Sequence, residues 1–410
     1  MNITLRKDAE QIARAAIEAV KPDAAVRRAV ENMTFPGKVY LVAAGKAGWQ
    51  MAKAALDCLP CAPAGGVVVT KYDHVMGELP GVSCYEAGHP VPDENSFRGT
   101  QAALELTGEL TENDTVLFLL SGGGSALFEK SFVTGEELQD VTRQLLACGA
   151  EITEMNTIRK RLSQVKGGRF AQWCSPAKVE AVVLSDILGD PLDMIASGPA
   201  AVDVSTCEDA LHIAAKYSLK LSETAQACLK QETPKELTNV RSQIIGSVRE
   251  LCRAAAQEAE KLGYEPVYLT DLLTCEARDA GAFMASVLRS HAHDGKKLAY
   301  LAGGETVVHL TGKGLGGRNQ ELALGAAAGL AGCGNACVIS VGSDGTDGPT
   351  DAAGGYADGD TLQELKAAGL QLHEVLADND AYHALQKVDG LIITGPTGTN
   401  VNDVAVGLIG

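Results

Sequence analysis

Five times along this 410-residue chain, a short run of Val, Ile, Leu or Ala gives way to glycine and small polar residues. The junctions are Ala44-Gly45-Lys46, Leu120-Ser121-Gly122, Leu184-Ser185-Asp186, Val341-Gly342-Ser343 and Thr394-Gly395-Pro396. Strand candidates are Val39–Ala44, Gly66–Thr70, Thr115–Leu120, Val179–Leu184, Pro266–Leu269, Leu298–Ala302, Val307–Leu310, Cys337–Val341 and Leu391–Thr394. Several lack in/out alternation, the pattern of strands covered on both faces. Helical patterns lie between them at Asp8–Val20, Gly135–Ala150, Arg241–Leu262 and Thr361–Ala368. Alternating β and α units confine the chain to α/β layers with mostly parallel sheets. In open α/β sheets, ligands bind at the carboxyl ends of the strands, where these loops fall.

The length suffices for two domains of ordinary size. A polar segment, Lys230–Asn239, breaks the pattern and sets the expected boundary: residues 1–240 form a Rossmann-like unit and 241–410 a second α/β unit. With 46% hydrophobic and 21% charged residues, the chain is globular rather than disordered. A net charge of −17 repels nucleic acid and anionic membranes at long range, so neither is an expected partner. Eleven cysteines at irregular spacing do not form a disulfide framework. Cys58 and Cys61 make a lone CxxC without a second half-site, and read as small packing residues. The N-terminus lacks an apolar signal core, and the Leu322–Cys333 stretch is too short to span a bilayer. The expected address is the cytoplasm.

Gly-rich loops expose backbone N–H groups and let a ligand approach the main chain, which suits phosphate. Lys46, at a strand end between two glycines, is placed either to meet a phosphate or to sit solvated over a turn. Asn156–Arg169 holds Arg159, Lys160, Arg161, Lys166 and Arg169 with no acid among them. Arg159 and Lys166, seven apart, would share a helix face. Asp186 and Asp190 stand after one strand, and Asp344, Asp347 and Asp351 after another. Such oxygen-only sets suit Mg²⁺, and the same residues also serve as turn and helix caps. Arg318 lies near the N-terminus of a helical pattern, Glu321–Leu330, where a cation opposes the dipole and calls for an anionic partner. Gly312–Gly317 satisfies GxGxxG but has no acid about 20 residues on. Ser125 lacks the second glycine of a nucleophile elbow.

Taken in order, GKAG, GHPVPDE (Gly88–Glu94), SGGGSAL, RKRLSQVKGGRFA, LSDILGDPLDMIASGP, GGETVV, GKGLGGRNQELAL, SDGTDGPTDAAGG and TGPTGTNVND resemble the glycerate 2-kinase family, whose C-terminal domain is called MOFRL. The resemblance runs from Gly45 to Asp403. It implies two three-layer α/β/α domains around a central cleft. It also implies transfer of the ATP γ-phosphoryl group to the 2-hydroxyl of D-glycerate with Mg²⁺, and Lys46 and Arg318 as a catalytic pair. Two positions depart from the family pattern: Ala200 and Ser343 stand where Thr is usual.

On this reading Ser121, Gly122, Gly123, Gly124, Ser125, Arg159, Lys166, Asn319 and Glu321 hold substrate and phosphate. Gly342, Asp344, Gly345, Thr346, Asp347, Thr397 and Asn400 hold the nucleotide, and Asp186 and Asp190 the metal. No general base stands out. Two other classes stay open: a hydroxypyruvate reductase, and a non-catalytic sensor of sugar acids or nucleotides. A homodimer also stays open.

Overall fold

Strands that are apolar along their whole length end up at the centre of a sheet, and the first unit is organised around two of them. In the computed structural model, which describes residues 2–410, β1 (Val39–Ala44) and β4 (Thr115–Leu120) lie side by side in parallel. Around them run β2 (Gly65–Lys71), β3 (Val82–Ala87), β5 (Lys178–Leu184) and β6 (Val240–Gly246). The order is β3-β2-β1-β4-β5-β6, and the pairings from β3 through β5 are parallel. This is the doubly wound order, whose direction of growth reverses between β1 and β4. The loops after those two strands therefore meet at the switch point.

Three phenylalanines brace that point from inside. Phe118 on β4, Phe128 just after SGGGSAL and Phe170 just after KGGR are fully buried, with ring centroids 4.9–5.5 Å apart. Each Gly-rich segment is thus pinned to the core by the aromatic residue that follows it.

The second unit contains β7 (Glu265–Leu273), β8 (Leu298–Gly304), β9 (Ala336–Gly342), β10 (Gly354–Asp358), β11 (Leu391–Ile392) and β12 (Asp403–Ile409). Their order is β11-β10-β9-β12-β8-β7. Here the expectation of a mostly parallel sheet fails. Only β7 and β8 pair in parallel, and the other described pairings are antiparallel. Two strands account for this: β12 returns between β8 and β9 and runs against both, and β10 runs against β9 and β11.

The division of the chain also differs from a cut at residue 240. One unit is Pro22–Ile245; the other combines Gly246–Gly410 with the residues through Lys21. The helix Ile3–Ala19 docks on the later unit through Asp8, which accepts a 2.7 Å hydrogen bond from Tyr264 Oη. Arg241–Leu262 is not one helix. Its first part is β6, and Ser247 then caps the helix Val248–Lys261. Val307–Leu310 forms no strand; Val307 makes a single bridge to Glu276, and Leu310 is exposed.

The basic run 159–169 is mostly internal. Lys160 and Arg161 are buried with Asp203, at 3.1 and 3.0 Å, and Thr233 and Ser205 also donate to that carboxylate. Burial pushes the Asp203 pKa up, but Lys160 and the hydroxyls outweigh it and bring it to about 2. A lowered carboxylate pKa stabilises the fold above its unfolded value of about 3.9, and that contribution is lost as pH falls toward 2. Asp203→Asn is expected to lower unfolding free energy by about 3 kcal/mol, because buried Lys160 and Arg161 lose the acid they share and keep only the more exposed Asp193 and Glu232. It should also flatten the stability change between pH 4 and 2. Urea unfolding across that range measures both.

Candidate active site

At the switch point of the first unit the two loops are interlocked by main chain. Ser121 N donates to Ala44 O and Lys46 N to Gly122 O, both at 2.9 Å, and Ala47 N donates to Ser121 Oγ at 3.1 Å. A side chain on Gly45 would overlap the Ser121 hydroxyl and carbonyl, so only glycine allows the crossing. The Lys46 side chain runs past Gly123, whose φ of +85° favours glycine. The His89 ring lies on the same residue. The carboxylate of Asp186 packs against Gly122.

Ser125 opens onto a cavity of about 210 Å³ shared with Glu129, Arg159 and Pro90. Ser125 Oγ is 3.1 Å from Ser197 Oγ, which donates to Asn156 Oδ1 at 3.1 Å. The Arg159 guanidinium is half-buried and makes no hydrogen bond or close ion pair with another described residue. Burial lowers its pKa, and the nearby Glu129 opposes that shift. An unpaired, partly desolvated guanidinium at a small cavity is suited to a carboxylate.

Lys166 does not share this surface. It is fully buried, with Nζ 2.7 Å from Glu129 and donating to Phe128 O at 3.0 Å. Its expected substrate contact gives way to a structural one, since its charge is already matched inside the core. Asp186 and Asp190 also separate. Asp186 lies by Gly122, whereas Asp190 lines another groove with Asp193 and Ala201. Among the described residues no three His, Cys, Asp or Glu gather as a metal site.

In the second unit a groove of about 770 Å³ is lined by Val307, Val308, Leu310, Asp344, Thr346 and Gly348. Arg318 and Glu321 reach it from the helix Arg318–Leu330. That volume suits a nucleotide-sized ligand. Arg318 has the anionic partners that its position demanded, and they are protein carboxylates. Nε and Nη2 donate to Asp403 at 2.6 and 3.1 Å, and Nη1 donates to Glu305 at 2.9 Å. Burial raises the Asp403 pKa, to about 6, against the pull of Arg318.

The start of that helix is already capped. Asp347 accepts from the backbone N–H of Asn319 at 3.1 Å and of Gln320 at 2.9 Å, and from both side-chain amides. Its carboxylate is buried, which raises its pKa. Asp347 is therefore a helix cap rather than a ligand-facing acid. The side chains of Asn319 and Glu321 are likewise engaged internally: Ser340 Oγ donates to Asn319 Oδ1 at 2.6 Å, and Arg278 and Asn379 meet Glu321. Asp344, Thr346 and Asn400 remain at the surface of two loops that are sewn together. Thr397 Oγ1 donates to Ser343 O at 2.5 Å, Thr397 N to Asp344 O at 3.2 Å, and Val401 N to Ser343 Oγ at 2.8 Å. Gly342 and Gly345 lie buried beneath.

The GKGLGG string is not a free phosphate loop. The amides of Thr311 and Gly312 donate to Asn379 Oδ1, that of Lys313 to Asp378 and that of Leu315 to Asp380, at 2.8–3.0 Å. His89, Glu305 and Asp403 are functional candidates that sequence reasoning passed over. All three lie inside or beside the recognised motifs. His89 and Asp403 become conspicuous only once Lys46 and Arg318 have positions.

Residues 8–230 match the family described as a domain of unknown function, DUF4147, and residues 298–403 match the MOFRL family. A D-glycerate 2-kinase of Thermotoga maritima is 53% identical over 99% of both chains. A glycerate 2-kinase of Pyrococcus horikoshii is 41% identical over 96% of this chain and 95% of its own. The crystal structure of glycerate kinase from Thermotoga maritima superimposes with a TM-score of 0.95, covering 99% of this chain and 100% of that one.

If Asp347 is structural and Asp344 faces the groove, alanine should separate them. Asp347→Ala is expected to cost about 1–3 kcal/mol, from buried amides left unpaired. Asp344→Ala should cost well under that. Denaturant melts of the two variants give the comparison.

Proposed function

This chain belongs to the glycerate 2-kinase family, and from that premise we propose that it transfers the γ-phosphoryl group of ATP to the 2-hydroxyl of D-glycerate, giving 2-phosphoglycerate and ADP. The observation that supports this most is Lys46 held by main chain at the β1/β4 switch point beside the SGGGS loop. Phosphoryl transfer asks for positioning and charge neutralisation, and no covalent nucleophile is required.

Lys46 and the loop Ser121–Ser125 meet the migrating phosphoryl group. Arg159 and Ser125 receive the glycerate carboxylate in the small cavity. The groove beside Asp344, Gly345 and Thr346 takes the nucleotide, its apolar wall of Val307 and Val308 facing the base. Asp403 and Glu305 fix the direction of Arg318, so that its guanidinium is preorganised at the edge of that groove. Mg²⁺ would be held by Asp186 together with ligand phosphates and water, since one carboxylate is an adequate protein share for that ion. When bound it neutralises phosphate charge. Asp190, on another groove, takes no part.

The reductase reading is disfavoured by the GKGLGG loop. The amides of Gly312, Lys313, Gly314 and Leu315 are already paired with residues 378–380, and the adjacent helix start is capped by Asp347. A pyrophosphate cradled by the first four residues of the string would have to break those bonds. A sensor role is separated from catalysis by ATP turnover.

Enolase alone, added as coupling enzyme, reads 2-phosphoglycerate and not the 3-phosphate. With D-glycerate and MgATP the assay is expected to respond, to fall silent with EDTA and to recover with Mg²⁺. Production of only the 3-phosphate would overturn the regiochemistry. Lys46→Ala and Arg318→Ala should each lower kcat by about 10²–10³-fold. A raised KM with normal kcat would reduce them to anion collectors.

A further inference from the structure

The arrangement around Gly123 supplies the group that the sequence left open. We propose that His89 is the general base of the transfer, accepting the proton of the acceptor hydroxyl as the phosphoryl group reaches it; this rests on the kinase reading above. His89 follows β3 in the loop GHPVPDE. The point where a Cβ on Gly123 would stand is 3.1 Å from His89 Cδ2, 3.2 Å from His89 Nε2 and 3.1 Å from Lys46 Cγ. The Nε2 edge of the imidazole and the stem of Lys46 therefore flank one bare glycine of the phosphate loop. Neither ring nitrogen of His89 hydrogen-bonds another described residue. By contrast, His74 Nδ1 is 2.9 Å from Lys46 O, and His291 and His383 are exposed and paired with Asp294 and Asp380.

The surroundings keep this imidazole neutral. Burial lowers its pKa, and Lys46, Lys71 and His74 lower it further. The acid in the same loop, Asp93, is turned to its own work, receiving Tyr72 Oη at 2.7 Å and capping the helix Glu94–Leu106. A neutral imidazole at physiological pH is able to receive a proton. In the step, the acceptor oxygen forms its bond to phosphorus while the bond from phosphorus to the β–γ bridging oxygen breaks. The hydroxyl proton passes to Nε2, and ADP leaves with the electron pair. The imidazolium then releases its proton to solvent.

A dissociative transition state needs limited base help, so the expected loss lies at the low end of general-base effects, about 10²-fold. The test is steady-state kinetics of the full-length His89→Gln and His89→Ala variants with MgATP and D-glycerate, from pH 5 to 9. Thermal melting and the KM for ATP report whether each variant is folded. Wild type should show an acidic limb in kcat/KM for glycerate, falling below the ordinary histidine range of about 6.5. Both variants should lose about 10²-fold at pH 7.5 with ATP KM unchanged, and the acidic limb should vanish. Added imidazole should restore part of the rate of His89→Ala.

Variants within threefold of wild type with the limb intact would overturn the proposal. So would a slow variant that keeps the limb and ignores imidazole, since His89 would then only hold the substrate. A wild type without an acidic limb overturns it before any variant is made. A wild type that makes no 2-phosphoglycerate fails the kinase reading itself, which the same assay separates from failure of the base.

Discussion

Two backbone segments pass one another at the carboxyl ends of β1 and β4, and their contact leaves no room for a side chain on Gly45. The site of the first unit follows from that crossing. It turns Lys46 toward Gly123, sets Ser121 Oγ to receive Ala47 N, and starts the short helix that carries Ser125. The chain must reach that crossing from a rigid base, and the Phe118, Phe128 and Phe170 cluster provides it. A loop built this way would need little reorganisation if it met the proposed phosphate, which is where electrostatic catalysis gains most.

The second unit reaches a similar end by different means. Its helix Arg318–Leu330 begins with a cation, and the fold compensates with acids brought from other parts of the unit. Asp347 satisfies the free amides, while Asp403 and Glu305 aim the guanidinium. Asp403 opens β12, the strand inserted between β8 and β9, so the direction of Arg318 is tied to the sheet itself.

Much of this was legible in the chain. Apolar runs such as Val39–Ala44 and Thr115–Leu120 gave strands at those residues, because strands buried on both faces have no competing pattern. The edge strands β3 and β6, with Ser, Glu, Arg and Gln among their residues, lacked that signature. β10 begins with two glycines, and β12 was hidden behind a loop motif. The antiparallel return of β12 is a long-range pairing that local periodicity cannot encode. At the candidate site, residue type and spacing marked the SGGGS loop and Arg318 for an anion and left Lys46 open between phosphate and solvent; only the family resemblance named Lys46 and Arg318 as a pair. Spacing could not tell which acids were already spent: Asp347 on amides, Asp403 on Arg318, Glu129 on Lys166. Charge runs mislead for the same reason, since most of Asn156–Arg169 neutralises buried carboxylates instead of facing a ligand.

In the proposed reaction the β1/β4 crossing holds the transferring phosphoryl group. A crystal structure of this protein with D-glycerate and a non-hydrolysable ATP analogue tests it most directly. The terminal phosphate is expected within hydrogen-bond reach of Lys46 Nζ and the Gly122–Ser125 loop, and the glycerate carboxylate on Arg159. A terminal phosphate bound with no contact to residues 44–47 or 121–125 would contradict it.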